Sequence, residues 1–229
     1  SFDPLSGAPL FACYLTGHFQ GLTVFGNIPL AASGGSPDVF VAKYDGNGNV
    51  LWAKKAGGAG RDQGLGIAID PFPTMSDLPV PLSHASYVTG YCTETAVFGG
   101  VSLAGSGSSR DIFVAKYDGA GNVLWAKRAG GEGSGQGLGI AVEQSSSSLD
   151  LETGAPVFAS HVTGYFAGMA RFGEIPWPAA ASKTTTFSWP SSVWKTPRRS
   201  SMPASISAPT RRVPSRSTAR AAVILMAIR

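Results

Sequence analysis

The stretch DVFVAKYDGNGNVLWAKKAGG at 38–58 returns as DIFVAKYDGAGNVLWAKRAGG at 111–131. Asp38 to Asp111 is 73 residues, and so is Trp52 to Trp125. Between 38–69 and 111–142, 25 of 32 positions are identical. Such a fixed period marks a head-to-tail repeat of one supersecondary unit. The unit is longer than the quoted stretch. LTGHF (15–19), VTGYC (88–92) and VTGYF (162–166) are three copies of a second segment, each followed by a Phe-Gly pair at 25–26, 98–99 and 172–173. DPLSGAPLFACYLTGHF at 3–19 matches DLETGAPVFASHVTGYF at 150–166. The chain is therefore expected to start part-way through one unit, to break off part-way through another, and to be a fragment.

Four strand-like segments make up the complete central set: GLGIAID (64–70), ASYVTGYC (85–92), DIFVAKYD (111–118) and NVLWAKRA (122–129). Strand side chains alternate between faces. Ile112 and Val114 thus share one face of DIFVAKYD, and Phe113, Ala115 and Tyr117 the other. Both faces are largely apolar, so the strand needs a layer above and a layer below. DGNGN and DGAGN read as short hairpin loops, because Gly and Asn accept positive φ. GGAGRDQG and GGEGSGQG carry the chain to the next unit. The extra length lies in segments such as PFPTMSDLPVPLSH and EQSSSSLDLETGAP, expected to be loops.

Four short antiparallel strands per unit, repeated and packed on both faces, predict an all-β chain of β-propeller blades. A two-sheet sandwich is the rival architecture, and the fixed period favours blades. About two and a half blades fit in residues 1–182, an incomplete ring, since a closed ring takes roughly four to eight. DIFVAKYDGAGNVLWAKRAGG, GQGLGIAVE and HVTGYF together resemble the bacterial SBBP (seven-bladed β-propeller) repeat family. The resemblance covers 1–182 and leaves out 183–229. It implies a propeller in a secreted or cell-surface bacterial protein, and it brings no catalytic set with it.

Composition divides the chain at the same place. Residues 1–182 hold nine Lys and Arg, all 14 Asp and Glu, and all 30 glycines; residues 183–229 hold nine Lys and Arg, no acid and no glycine. The basic balance of +4 therefore belongs to the tail alone. A third DxFVAK strand is due near residue 184, where the chain reads TTTFSWPSSVWK. Codons compatible with Thr185–Ser192, read one base back, spell Asp-Asp-Val-Phe-Leu-Ala-Lys-Phe, the missing strand. Residues from about 183 are therefore expected to be out of frame, and 183–229 to be a disordered basic tail. The competing reading is a basic arm for nucleic acid or membrane.

Candidate sites are few. Asp45, Asn47 and Asn49 have the D-x-N-x-N spacing of a calcium loop. The Gly and the downstream acid of such a loop are lacking, and Asn47 is replaced by Ala120 in the second copy, so a hairpin turn is the stronger reading. His18 and His161 occupy positions filled by Tyr in the other copies, which points to packing rather than general-base chemistry. Trp52 and Trp125 lie in apolar strands and read as core. Cys13 and Cys92 fall at non-equivalent places and form no CxxC pair. No catalytic constellation, cofactor or metal set is assembled. The expected function is a non-catalytic secreted or surface scaffold that binds a protein or glycan through blade loops, with no nucleic-acid partner and no membrane span. A propeller glycosidase or lyase with its site in further blades is the enzymatic alternative.

Overall fold

The structure is a computed structural model, and it describes residues 12–70, 84–149, 156–173 and 175–178. Every regular element among them is a β-strand. The tail expected from 183 and the loop expected across 71–83 lie outside the described residues.

Strands β1 (Ala12–Phe19), β2 (Leu22–Phe25), β3 (Ile28–Ala31), β4 (Asp38–Asp45) and β5 (Val50–Gly58) come from the first unit. The second supplies β6 (Gln63–Ile69), β7 (Ser86–Cys92), β8 (Ala96–Phe98), β9 (Val101–Leu103), β10 (Asp111–Tyr117) and β11 (Val123–Gly131). The third supplies β12 (Gly135–Leu149), β13 (Pro156–Phe166), β14 (Met169–Phe172) and β15 (Ile175–Pro178). The four segments predicted for the central unit appear as β6, β7, β10 and β11, each within two residues of its expected ends, as an antiparallel meander. EQSSSSL, expected in a loop, instead lies in β12, where pairing with β13 carries the ladder out to Leu149 opposite Pro156.

The meander is not the whole sheet. Hairpin β14–β15, which follows the third VTGY strand, adds to the outer edge of β11, giving the order β15-β14-β11-β10-β7-β6. One unit earlier, hairpin β8–β9 adds to β5, giving β1-β4-β5-β8-β9. The second and third units thus each lend a short strap to the sheet before them. The Gly-Gly pairs of the repeat make this possible. Gly57 and Gly58 face Val97 and Ala96, as Gly130 and Gly131 face Arg171 and Ala170. A Cβ on Gly58 would overlap the Thr95 carbonyl, and one on Gly131 the Met169 carbonyl. Only glycine permits so close an approach of the two backbones.

The sheets stack face to face in chain order, and none closes on itself. Val39, Val41, Trp52 and Ala56 of the first sheet meet Val88, Cys92, Phe113, Ala115 and Tyr117 of the second, with strap residues Ala96, Phe98 and Leu103 filling the same core. On the far side of β10, Ile112 and Val114 pack on Val162 and Phe166 of β13. The division of DIFVAKY into two buried faces is as its alternation requires. Edge strands β6 and β12 of neighbouring sheets lie side by side. Both carry a bulge, at Leu65 and Leu138, which turns these leucines outward to 38% and 50% exposure.

Candidate functional site

Polar chemistry gathers at three places. The first is the pair of turns between β4 and β5 and between β10 and β11. Asp45 Oδ1 accepts from the Asn47 and Asn49 amides, both at 2.9 Å, and Oδ2 accepts from Asn49 Nδ2 at 2.9 Å. Asp118 makes the same three bonds to Ala120 and Asn122. The network needs no side-chain oxygen at position 47, since alanine serves in the second copy. Hydrogen bonds from Asn49 hold the Asp45 carboxyl below its usual range. The structure therefore places Asp45 and Asn49 together as a turn lock, to which Asn47 lends its backbone amide. Among the described residues, no group of three or more His, Cys, Asp or Glu has the geometry to hold a metal.

The second place is the strand end where the straps enter. Asp38 and Asp111 open β4 and β10 and are fully buried. Arg128 donates to Asp111 at 2.6 Å, and the Ser106 amide and hydroxyl donate at 2.8 Å. In the first unit, the Ser33 amide donates to Asp38 at 2.8 Å, and Lys55 stands off at 3.7 Å. Asp38 Oδ1 has no hydrogen-bond partner among the described residues. Beside it lies Asp62, whose counterpart is Gly135. Its carboxylate accepts from the Gly58 amide at 2.9 Å and the Thr93 amide at 3.1 Å, so it ties the strap to β5. Burial pushes Asp62 up to about 6, against the pull of those two amides, and the nearby Asp38 adds to the rise. Sequence reasoning missed this residue. Its signal was present, because position 62 is one of the seven differences between the two copies.

The third place is the opposite end of the second sheet. Buried Asp70 faces Lys116 at 3.8 Å, and Lys116 lies over the Tyr87 ring at 4.8 Å from its centroid. Burial raises the Asp70 carboxyl although Lys116 opposes it, and burial lowers Lys116 although Asp70 opposes that. His84 Nδ1 bonds the Asp70 carbonyl at 2.8 Å. One unit on, His161 Nε2 meets Glu143 at 2.9 Å, where Tyr87 and Asp70 stand in the second unit. Lys43 over Tyr14, at 5.2 Å, is the first-unit version. His161 therefore takes the structural place of a tyrosine, and His18 lies apart from it on the first sheet.

Between the first sheet and the turn of the second unit is a cavity of about 480 Å³. Lys54 and Lys55, the strap glycines 99 and 100, Tyr117 and Asn122 line it. Trp52 does not line it. Its indole packs on Gly121 and donates to the Gly119 carbonyl at 3.0 Å, so it is a joint between units. The thiols are also apart: Cys13 is exposed, while Cys92 is buried and its ionisation suppressed by burial. No described helix is long and apolar enough to cross a membrane. In comparisons with known proteins, no family model and no curated protein matches the chain.

Proposed function

We propose that the stacked sheets are blades of a β-propeller of the SBBP-like kind, and that the protein is a non-catalytic binding scaffold of a secreted or cell-surface bacterial protein. One observation carries this reading: the recurring acids are committed to holding the strands and turns of their own units. Asp38 and Asp111 anchor strand starts, Asp45 and Asp118 lock turns, Asp70 faces Lys116, and Glu143 meets the His161 ring. Asp62, pushed up to about 6, falls in the range that general acids use. It is nonetheless shut off from solvent with its oxygens held by two amides, which suits a fastener and not a hydrolytic acid.

A binding role falls to the surfaces where units meet. The cavity at Lys54 and Asn122 is within the size range of small-ligand sites. It combines cationic side chains with glycine backbone, a chemistry suited to an acidic glycan or an acidic peptide loop. The test is a glycan-array screen run beside a hydrolysis assay on the same sugars. Retention without product, weakened by Lys54→Glu, supports a scaffold. Turnover of any retained sugar replaces this reading with the enzymatic one. The basic-arm alternative rests on 183–229, outside the described residues, and predicts salt-sensitive DNA binding lost on deleting that segment.

A further inference from the structure

Three straps occur among the described residues, and two of them are docked on a neighbouring sheet. Hairpins β8–β9 and β14–β15 each pair with the Ala-Gly-Gly end of an outer strand, in the same register: Phe98 opposite Ala56, and Phe172 opposite Ala129. Hairpin β2–β3 is the same device one unit earlier. Phe25 pairs with Ile28 as Phe98 pairs with Val101, and Val24 with Pro29 as Val97 with Ser102. Yet β2–β3 stands as a sheet of its own, and no described strand pairs with the outer edge of β2.

The face beside that edge is bare in the same pattern. Phe25 stacks on Phe40 with centroids 4.8 Å apart, as Phe98 stacks on Phe113 at 4.7 Å. Phe98 and Phe113 are fully buried, because Val39, Val41, Trp52 and Ala56 of the preceding sheet cover them. Phe25 and Phe40 are only half-buried, and so is Tyr44, whereas Tyr117 is closed in. The turn glycines tell the same story. Gly121 lies under the Trp52 ring, while its equivalent Gly48 has nothing within 4 Å of where a side chain would start.

We infer that the outer edge of β2, together with the bare face of β4, is a receptor for a β-hairpin of the repeat's own type, whose second strand ends Trp-Ala-Lys-x-Ala-Gly-Gly. This is strand addition at an open sheet edge, with backbone pairing for affinity and flanking side chains for specificity. The occupant's Ala-Gly-Gly lies opposite Phe25, Val24 and Thr23. Its tryptophan covers Gly48 and donates to the Gly46 carbonyl, as Trp52 does to Gly119. The two occupied joints in this molecule are the template for both contacts.

The inference rests on the stacked-repeat part of the proposed function and not on any ligand of the finished scaffold. A failed glycan screen leaves it standing, and a failed titration here leaves the scaffold reading to its own test. The experiment titrates the full chain into a fluorescently labelled synthetic peptide, DIFVAKYDGAGNVLWAKRAGG, and follows anisotropy, with size-exclusion chromatography of the chain alone. Saturable binding is expected, at least tenfold weaker for peptides carrying Gly130→Val with Gly131→Val, or Trp125→Ala. Absence of saturable binding overturns the assignment. Equal binding of the glycine-substituted peptide also overturns it, by showing apolar adhesion without strand pairing. A chain that is already dimeric and excludes the peptide puts a second copy on the edge, and overturns it too.

Discussion

Strands β4 and β10 carry almost the same residues, and they live in different surroundings. Phe113 and Tyr117 are closed in by the first sheet, while their twins Phe40 and Tyr44 face outward. The asymmetry reverses at the tryptophans. Trp52 is 8% exposed because the next unit's turn sits on it, whereas Trp125 is only half-buried. The same side chain thus contributes different energy according to which neighbour is present. In a stack of this kind, stability is a sum of unit terms and interface terms. Near-identical sequence in the two units lets the interface term be measured by subtraction.

The largest effect should come from the aromatic pair. Phe113→Ala is expected to cost about 3–5 kcal/mol, as for large core truncations, and Phe40→Ala under half of that. Urea denaturation of both variants checks it, and equal losses would mean that the two faces are equally covered in solution. Next comes a pH dependence present in only one unit. Because Asp62 is raised from 3.8 to about 6, the folded chain between those values holds a proton that the unfolded chain has released. Stability therefore falls as pH rises through that window, by on the order of 3 kcal/mol, and stays low above it. Asp62→Asn should reduce that slope in melts recorded from about pH 4 to 7, leaving what buried Asp70, raised in the same direction, contributes. A slope unchanged by the substitution would assign it to another group.

A smaller contrast separates the two anchored aspartates. Arg128→Ala removes a 2.6 Å charge-assisted bond to buried Asp111 and should cost about 2 kcal/mol. Lys55 stands 3.7 Å from Asp38 with its side chain 43% exposed, so Lys55→Ala should cost roughly 0.5–1 kcal/mol. If the two losses are equal, the shorter bond gives the second unit no advantage. The least effect is expected at the turns. Asn47→Ala should leave the melting temperature unchanged, since Ala120 fills that place in the second copy, and added calcium should leave it unchanged too. A calcium-dependent rise in Tm lost in Asp45→Ala would restore the metal reading of Asp45, Asn47 and Asn49.

The strands of the central meander were legible because alternation is a local signal. DIFVAKY announces two apolar faces by itself, and the structure covers both. The straps were not legible. AVF and VSL are too short to show a period, and the strand they join belongs to the preceding sheet, far off in sequence. What could be read was their socket, a Gly-Gly pair repeated where a strand should continue. The buried aspartates were hidden for another reason. An acid at the start of a strand normally faces water, and here Asp111 is buried only because Ser106, Arg128 and the incoming chain converge on it. The turn chemistry of Asp45 was readable from the second copy, because Ala120 offers no side-chain oxygen and the turn closes all the same.

The straps also set a schedule. The first sheet reaches its outer strand at Gly58, but the hairpin that closes that strand ends at Leu103, some 45 residues later. A ribosome adds about 5–20 residues per second, so the edge of β5 waits roughly 2–9 s for its cover. During that interval it is an unpaired strand edge of the kind that invites wrong partners. Each newly made unit finishes the one before it and leaves its own edge open, so the nascent chain always carries one unfinished sheet, and the risk of mispairing moves along with synthesis.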